Sequence, residues 1–353
     1  MVADIPFDAL PLRKDGPPGN AWGRFGDDDQ LGTLNFLTPE TTKKAAQEIT
    51  DGMRIPTDWP LGSMSTPCFN RDPLRHTFKH KAPRTINDDM LYFNTQSSSQ
   101  WDGFRHFGYQ KEEVYYNGMK QDEVLTTHRN GIDGECPSSL RLLPNYANDA
   151  HSAWVERGGI AGRGVLLDYA AWCDEKGEKP EIFAKTPIPV GTLQEIAAKQ
   201  GVTFRRGDIL LIRTGWIRAY QKLSEEGQVN LAALQHPPAI GLEASEETLR
   251  WIWDEGFAAA AGDQPSFEAW PCWGQEITLH ERMLAGWGCP IGELFDLERL
   301  SEECKKRGRY TFFFTSMPLN VSVSSLRLKV IKLTDLIQVP GGVASPPNGM
   351  AIF

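Results

Sequence analysis

Three short runs constrain the fold more than anything else in this chain of 353 residues. Gly164-Val165-Leu166-Leu167-Asp168, Asp208-Ile209-Leu210-Leu211-Ile212-Arg213 and Phe257-Ala258-Ala259-Ala260-Ala261-Gly262 are nearly all apolar and bounded by Gly or charge. Such runs are the mark of strands buried on both faces. Thr192 to Gln200 reads as a crossover helix between the first two, and Ser245 caps a helix from Glu246 to about Glu255 that leads into the third. Strands alternating with helices over residues 160–335 predict an α/β protein. The alanines of the third run leave room for a neighbour to pack close.

Residues 1–37, rich in Gly, Pro and Asp, read as an irregular arm laid over the body. Thr38 is placed to cap a helix, with Pro39 at its first position and an end near Glu48. From about 54 to 150 the chain is Pro-rich and polar, with short pieces such as Met90-Leu91-Tyr92-Phe93 that suit strands. Helices are expected near Leu279 to Leu284 and at Leu297 to Lys305, the latter with Asp296 as its cap. Strands are expected at Tyr310 to Phe314 and at Leu326 to Ile331, which alternates apolar and basic residues. No linker or internal repeat divides the chain, so residues 38–353 are expected to form one domain with a wrapping C-terminal tail.

Charge and motif content remove several function classes. The 37 Lys and Arg against 46 Asp and Glu leave a net charge of -9, which disfavours nucleic acid and anionic membranes as partners. No run approaches the roughly 18 apolar residues of a membrane span, and the N-terminus lacks a secretory pattern, so a cytoplasmic protein is expected. Cys68, Cys136, Cys173, Cys272, Cys289 and Cys304 show no C-x-x-C spacing and read as reduced and mostly structural. The sequon at Asn320-Val321-Ser322 has no secretory context. There is no Walker loop, and the glycines of Gly159 to Gly164 precede a strand instead of following one, so no nucleotide cofactor is expected. No G-x-S-x-G elbow is present.

The stretch Asn94-Thr95-Gln96-Ser97-Ser98-Ser99-Gln100-Trp101-Asp102-Gly103-Phe104-Arg105-His106-Phe107 is different. It sets an acid and a histidine four residues apart among aromatics, directly after a run of neutral amides and hydroxyls. By spacing alone it reads first as a polar loop with one satisfied histidine.

This stretch resembles the active-site signature H-x-G-T-H-x-D-x-x-x-H of the cyclase family of metal-dependent hydrolases, which includes kynurenine formamidases and isatin hydrolases. Trp22-Gly23-Arg24, Asp29 to Asn35, Thr38-Pro39-Glu40, Gly162 to Asp168, Gly207-Asp208, Arg213 to Trp216, Leu279-His280, Pro290 to Glu293 and the tail Pro340 to Asn348 extend the resemblance over nearly the whole chain. It implies a mixed, barrel-like sheet flanked by helices, a homo-oligomer, and a small aromatic or cyclic substrate. The family's two metal-binding histidines fall on Gln96 and Gln100, its metal-binding aspartate on Asp102 and its acid-base histidine on His106. Its later histidine and glutamate resemble His280 and Glu293.

Two imidazoles have therefore become two amides. An amide offers only a carbonyl oxygen, a hard and weak ligand better suited to Mg²⁺ or Ca²⁺ than to zinc or manganese. A Zn, Mn or Mg ion is expected to be held weakly or not at all by Asp102, Gln96 and Gln100. Three functions stay open. The first is a hydrolase of a small amide, lactam or lactone, with Asp102, His280 and Glu293 around an ion and His106 as general acid/base. The second is a metal-independent isomerase, lyase or cyclase using Asp102 and His106, with Gln96 and Gln100 orienting the substrate. The third is an inactive small-molecule binding protein.

Trp101, Asp263 and Gln264 are further candidates for substrate contact, Asp263 because it follows a buried strand at the end where α/β sheets place ligands; its other role would be to cap the next turn. His76 and His80 read as a surface strand. Tyr115 and Tyr116 read as packing or substrate contact, Cys272 and Cys289 as small buried hydrophobes, and Ser345 and Asn348 as pocket or turn residues.

Overall fold

The three apolar runs lie side by side in the middle of a nine-stranded mixed sheet. The computed structural model describes residues 4–127, 129–132, 154–155, 157–321 and 342–353. In chain order the strands are β1 (Arg54–Pro56), β2 (Arg75–His80), β3 (Asn87–Tyr92), β4 (Gln100–Asp102), β5 (Ile160–Asp168), β6 (Pro187–Ile188) and β7 (Ile209–Arg213). They continue as β8 (Gly241–Leu242), β9 (Ala259–Gly262), β10 (Ile291–Glu293), β11 (Thr311–Ser316), β12 (Ala344–Ser345) and β13 (Met350–Ile352). The large sheet has the order β1-β13-β11-β5-β7-β9-β10-β4-β12. β5, β7, β9 and β10 run parallel, and the remaining strands join antiparallel. This curled, helix-flanked sheet is the α/β architecture that the resemblance implies.

β5, β7 and β9 are buried along almost their whole length, as expected for parallel strands covered on both faces. The alanines of β9 have the expected use: a Cβ on Gly292 of β10 would come within 2.5 Å of the Ala261 Cβ. The helices sit where the pattern placed them, at Pro39–Ala45 with Thr38 as cap, at Val190–Lys199, and at Glu246–Glu255 with Ser245 as cap. His76 and His80 lie on β2, which pairs with β3 in a two-stranded hairpin exposed at every position.

Some expectations need correction. Asp296 is not the cap of the helix Glu298–Arg307; Leu297 holds that position, and the Asp296 carboxylate accepts the Glu298 N–H at 3.2 Å. The helix expected near Leu279 is a π-helical segment, Glu281–Trp287, entered through His280; such segments favour functional sites. The C-terminal tail does more than wrap, because β12 pairs with β4 and β13 lies between β1 and β11. The strand expected at Leu326 to Ile331 lies outside the described residues, as do Cys136 and Ser322 of the sequon. The other five cysteines are buried and free.

The N-terminal arm is tied to the π-helical segment. Ala21 N–H donates to Gly286 O at 2.9 Å, Thr33 N–H to Gly288 O at 2.8 Å, and the Trp287 indole N–H to Gly19 O at 2.9 Å. The position that follows His280 in the chain is thus held from outside by residues more than 250 positions earlier.

Candidate active site

β4 and β10 build the centre of the site through their register. Gln100 stands opposite Glu293, Trp101 opposite Gly292, and Asp102 opposite Ile291. Alternate residues of a strand point to opposite faces. Gln100 and Asp102 therefore share one face of β4, and Trp101 points to the other. The Trp101 indole N–H donates to Ser316 Oγ at 2.9 Å, and its ring packs edge-on against Phe295.

On the Gln100 and Asp102 face, a polar chain runs across the sheet. The Gln100 amide donates to Glu293 Oε2 at 2.7 Å, and Glu293 Oε1 lies 3.2 Å from His280 Nε2. The other ring nitrogen of His280 is 2.9 Å from Glu268 Oε1, while the second oxygen of Glu268 accepts the Leu279 N–H. His280 is therefore clamped between two buried carboxylates. Burial pulls its pKa down, but Glu268 and Glu293 outweigh burial and hold it well above the ordinary imidazole value.

Gln96, in the loop before β4, reaches the same place. Its amide donates to Asp102 Oδ1 at 2.9 Å and lies 3.2 and 3.3 Å from the two ring nitrogens of His106. Complete burial pushes the Asp102 carboxyl up to about 6, a shift partly offset by the positive charges of His280 and Arg71 and by the Gln96 hydrogen bond. His106 Nε2 is 3.9 Å from Asp102 Oδ2. Burial, with added repulsion from His280 and Arg71, lowers the His106 pKa, so its imidazole is neutral at pH 7. Burial also raises the Glu293 carboxyl, and the nearby Asp102 charge adds to this.

Above this chain opens a cavity of about 230 Å³. His106, His280 and Glu293 form its polar wall, and Phe69, Phe107, Trp270 and Trp273 its aromatic one. Phe107 and Trp273 stack at 6.1 Å with 29° between their planes. The size is at the lower end for ligand pockets, roughly 300 Å³, and suits a small molecule of one or two rings.

Asp102, His106 and His280 place one carboxylate oxygen and two ring nitrogens within 4.8 Å of one another. Asp102 Oδ2 and Gln100 Oε1 are buried oxygens with no hydrogen-bond donor among the described residues. Buried acceptors left unmatched are costly, and a divalent cation bound by Asp102 would relieve that cost at its Oδ2. The residues present fit such an ion.

The structure thus gathers Gln96, Gln100, Asp102, His106, His280 and Glu293. It does not bring Trp101, Asp263 or Gln264 to the cavity wall. The Asp263 carboxylate accepts the Thr214 N–H at 2.6 Å, the Thr214 hydroxyl at 2.7 Å and the Gly215 N–H at 2.9 Å, so it caps the turn after β7. The Gln264 amide donates to Phe267 O at 2.9 Å inside the turn. Tyr115 and Tyr116 pack away from the cavity, with their hydroxyls donating to Gln121 and Asp29. Ser345 accepts the Leu319 N–H, and the Asn348 side chain donates to Met317 O. Sequence reasoning missed Arg71, Phe69, Glu268, Trp270 and Trp273. Only the Trp-Pro-Cys-Trp run at 270–273 carried a signal for them.

A family model described as "Putative cyclase" matches residues 41–269, more than half of the chain. The chain belongs to the cyclase family. A solved structure described as a novel cyclase is 28% identical to this cyclase-family chain, covers 95% of it and 99% of itself, and superposes with a TM-score of 0.72. Isatin hydrolase A from Ralstonia solanacearum is 14% identical, with 89% of this chain and 97% of that one covered and a TM-score of 0.55. An isatin hydrolase bound to the product analogue thioisatinate is 12% identical, with 90% and 96% covered and a TM-score of 0.54. These two share the fold of the cyclase-family chain. No curated protein sequence matches it. Among the described residues no helix is long and apolar enough to cross a membrane.

Proposed function

We propose that this protein hydrolyses the C–N or C–O bond of a small aromatic or cyclic amide, lactam or lactone, with His106 as general acid/base. The position of the His106 ring supports this most directly. Its side chain is 21% exposed on the cavity wall, while Asp102 behind it is fully buried. A neutral imidazole there takes a proton from an attacking water and returns it to the leaving nitrogen or oxygen. Ionised Asp102 stabilises the imidazolium formed between the two transfers. The Phe107 and Trp273 pair holds the substrate ring and keeps water away from that face. A divalent ion held by Asp102, Glu293 and, once its Nε2 proton is displaced, His280 would polarise the scissile carbonyl and acidify the water.

The Gln96 amide favours a second reading. It supplies donors to both Asp102 and His106 without any cation, an arrangement suited to metal-independent proton transfer in an isomerase, lyase or cyclase. The deciding experiment screens aryl formamides, isatin-type lactams and aryl lactones, with metal analysis and activity before and after chelation. Under the hydrolase reading, turnover is found, is lost with the metal, and falls about 10²–10⁴-fold in His106→Ala. Undiminished hydrolysis in His106→Ala rejects the assigned role. Hydrolysis that is unaffected by complete metal removal rejects the part assigned to the ion, and no hydrolysis of any of the three substrate classes favours the second reading.

A further inference from the structure

Arg71 lines the same cavity as His106, His280 and Glu293, yet among the described residues no carboxylate pairs with it. Two more deeply buried guanidinium groups are matched by carboxylates: Arg163 pairs with Asp208 and Glu48, and Arg213 with Asp168 and Glu298. One Arg71 N–H donates to Gln96 O at 2.6 Å, and the guanidinium lies 5.1 Å from the Phe69 ring centroid. These contacts fix the head in place but use little of its capacity, because a guanidinium carries five donors in a planar fork that matches a carboxylate. An unmatched, oriented fork beside an aromatic wall is a built recognition element for a planar anion.

We propose that Arg71 binds a carboxylate carried by the ligand, so that the site takes aromatic acids, with the ring against Phe107, Trp270 and Trp273 and the anionic end on Arg71. This rests on the reading of the cavity as the substrate site, and it adds a charge to the substrate class. Arg71 holds the Gln96 carbonyl while the Gln96 amide meets His106, so a carboxylate on Arg71 lies on the His106 side of the cavity. Arg71 is permanently charged, so its own charge does not change with pH over the range in which the protein is folded.

The test is calorimetric titration of the full-length protein with 4-nitrobenzoate and with 4-nitrobenzamide, which share ring and shape and differ in charge. The acid is expected to bind at least tenfold more tightly. Arg71→Leu should abolish that preference, weakening the acid at least about tenfold more than 4-nitrobenzamide, and Arg71→Lys should retain part of it, since a point charge replaces the fork. Equal affinity for the two probes in the native protein, or no measurable binding of the acid, overturns the proposal, and neither outcome depends on a variant folding. Equal weakening of both probes in Arg71→Leu also overturns it, because Arg71 would then act only by holding the Gln96 loop. Failure of every hydrolysis assay alongside an intact, Arg71-dependent preference for the acid would reject the hydrolase reading and leave this one standing.

Discussion

The side-chain amide of Gln96 donates to Asp102 Oδ1 at 2.9 Å and leaves Oδ2 of the same carboxylate buried without a donor. One oxygen of Asp102 is thus satisfied by the protein, and the other is open to a cation, a proton or the imidazolium of His106. The Asp102 carboxyl, pushed up to about 6 by burial, sets the ionic state of the site near neutral pH.

The first prediction follows from that value. Ionised Asp102 is the active form, so kcat/KM should be constant above pH 7 and fall as the pH drops through about 6. His106, with its pKa lowered, contributes no limb near its ordinary value. Gln96→Ala removes a hydrogen bond that favours the carboxylate, and should move the limb to higher pH. Asp102→Asn should cost at least about 10²-fold in kcat/KM. A pH–rate profile of the three proteins checks this.

Gln96→His with Gln100→His puts imidazoles where amides now stand. Zn²⁺ affinity should rise by about 100-fold or more, because imidazole nitrogen is a far better zinc ligand than an amide oxygen. Competition with a chromophoric chelator measures it. Unchanged affinity would mean that these two positions do not face the ion.

Glu268 acts through His280, as a positioning residue. Glu268→Gln replaces one of the two carboxylates that hold His280 cationic, and should lower the His280 pKa while reducing kcat/KM about 10–100-fold. Titration of the His280 ring by NMR separates this from a general loss of fold.

Gly32 has φ +53°, and a Cβ there would sit 1.8 Å from Gly288 O. Gly32→Ala should destabilise the protein by about 2–4 kcal/mol, from backbone strain and overpacking together. It should loosen the end of the π-helical segment that follows His280. A thermal or urea melt reads the first effect, and loss of activity below the melting transition reads the second.

Local signals explain what was legible in advance. Thr38-Pro39 and Ser245 announce helix starts by capping chemistry, and both caps are present. Three apolar runs announce strands by their period and their boundaries. The signature segment could be aligned because Gln96, Gln100, Asp102 and His106 lie within eleven positions of chain. Asp296 was misread because an acidic residue ahead of a helix accepts a helix N–H from more than one position, and here it does so from outside the cap. Trp101 was misread because strand β4, and with it the alternation that turns Trp101 to the far face, was not apparent in the polar text.

By itself the sequence determined that the chain is α/β and that its central strands are buried, and its resemblance to the cyclase signature implied amides at two positions where that signature carries imidazoles. Each of these depends on residue types at short spacing. Only the tertiary structure decided that His280 is clamped by Glu268 and Glu293, that Arg71 faces the cavity with no carboxylate partner among the described residues, and that Asp263 serves a turn. Those relations join β4, β10 and the loops at 69–71 and 263–280, which are adjacent only because the sheet order places them so. Short-range pattern carries no information about which distant carboxylate closes on which imidazole; the register of β4 against β10 does.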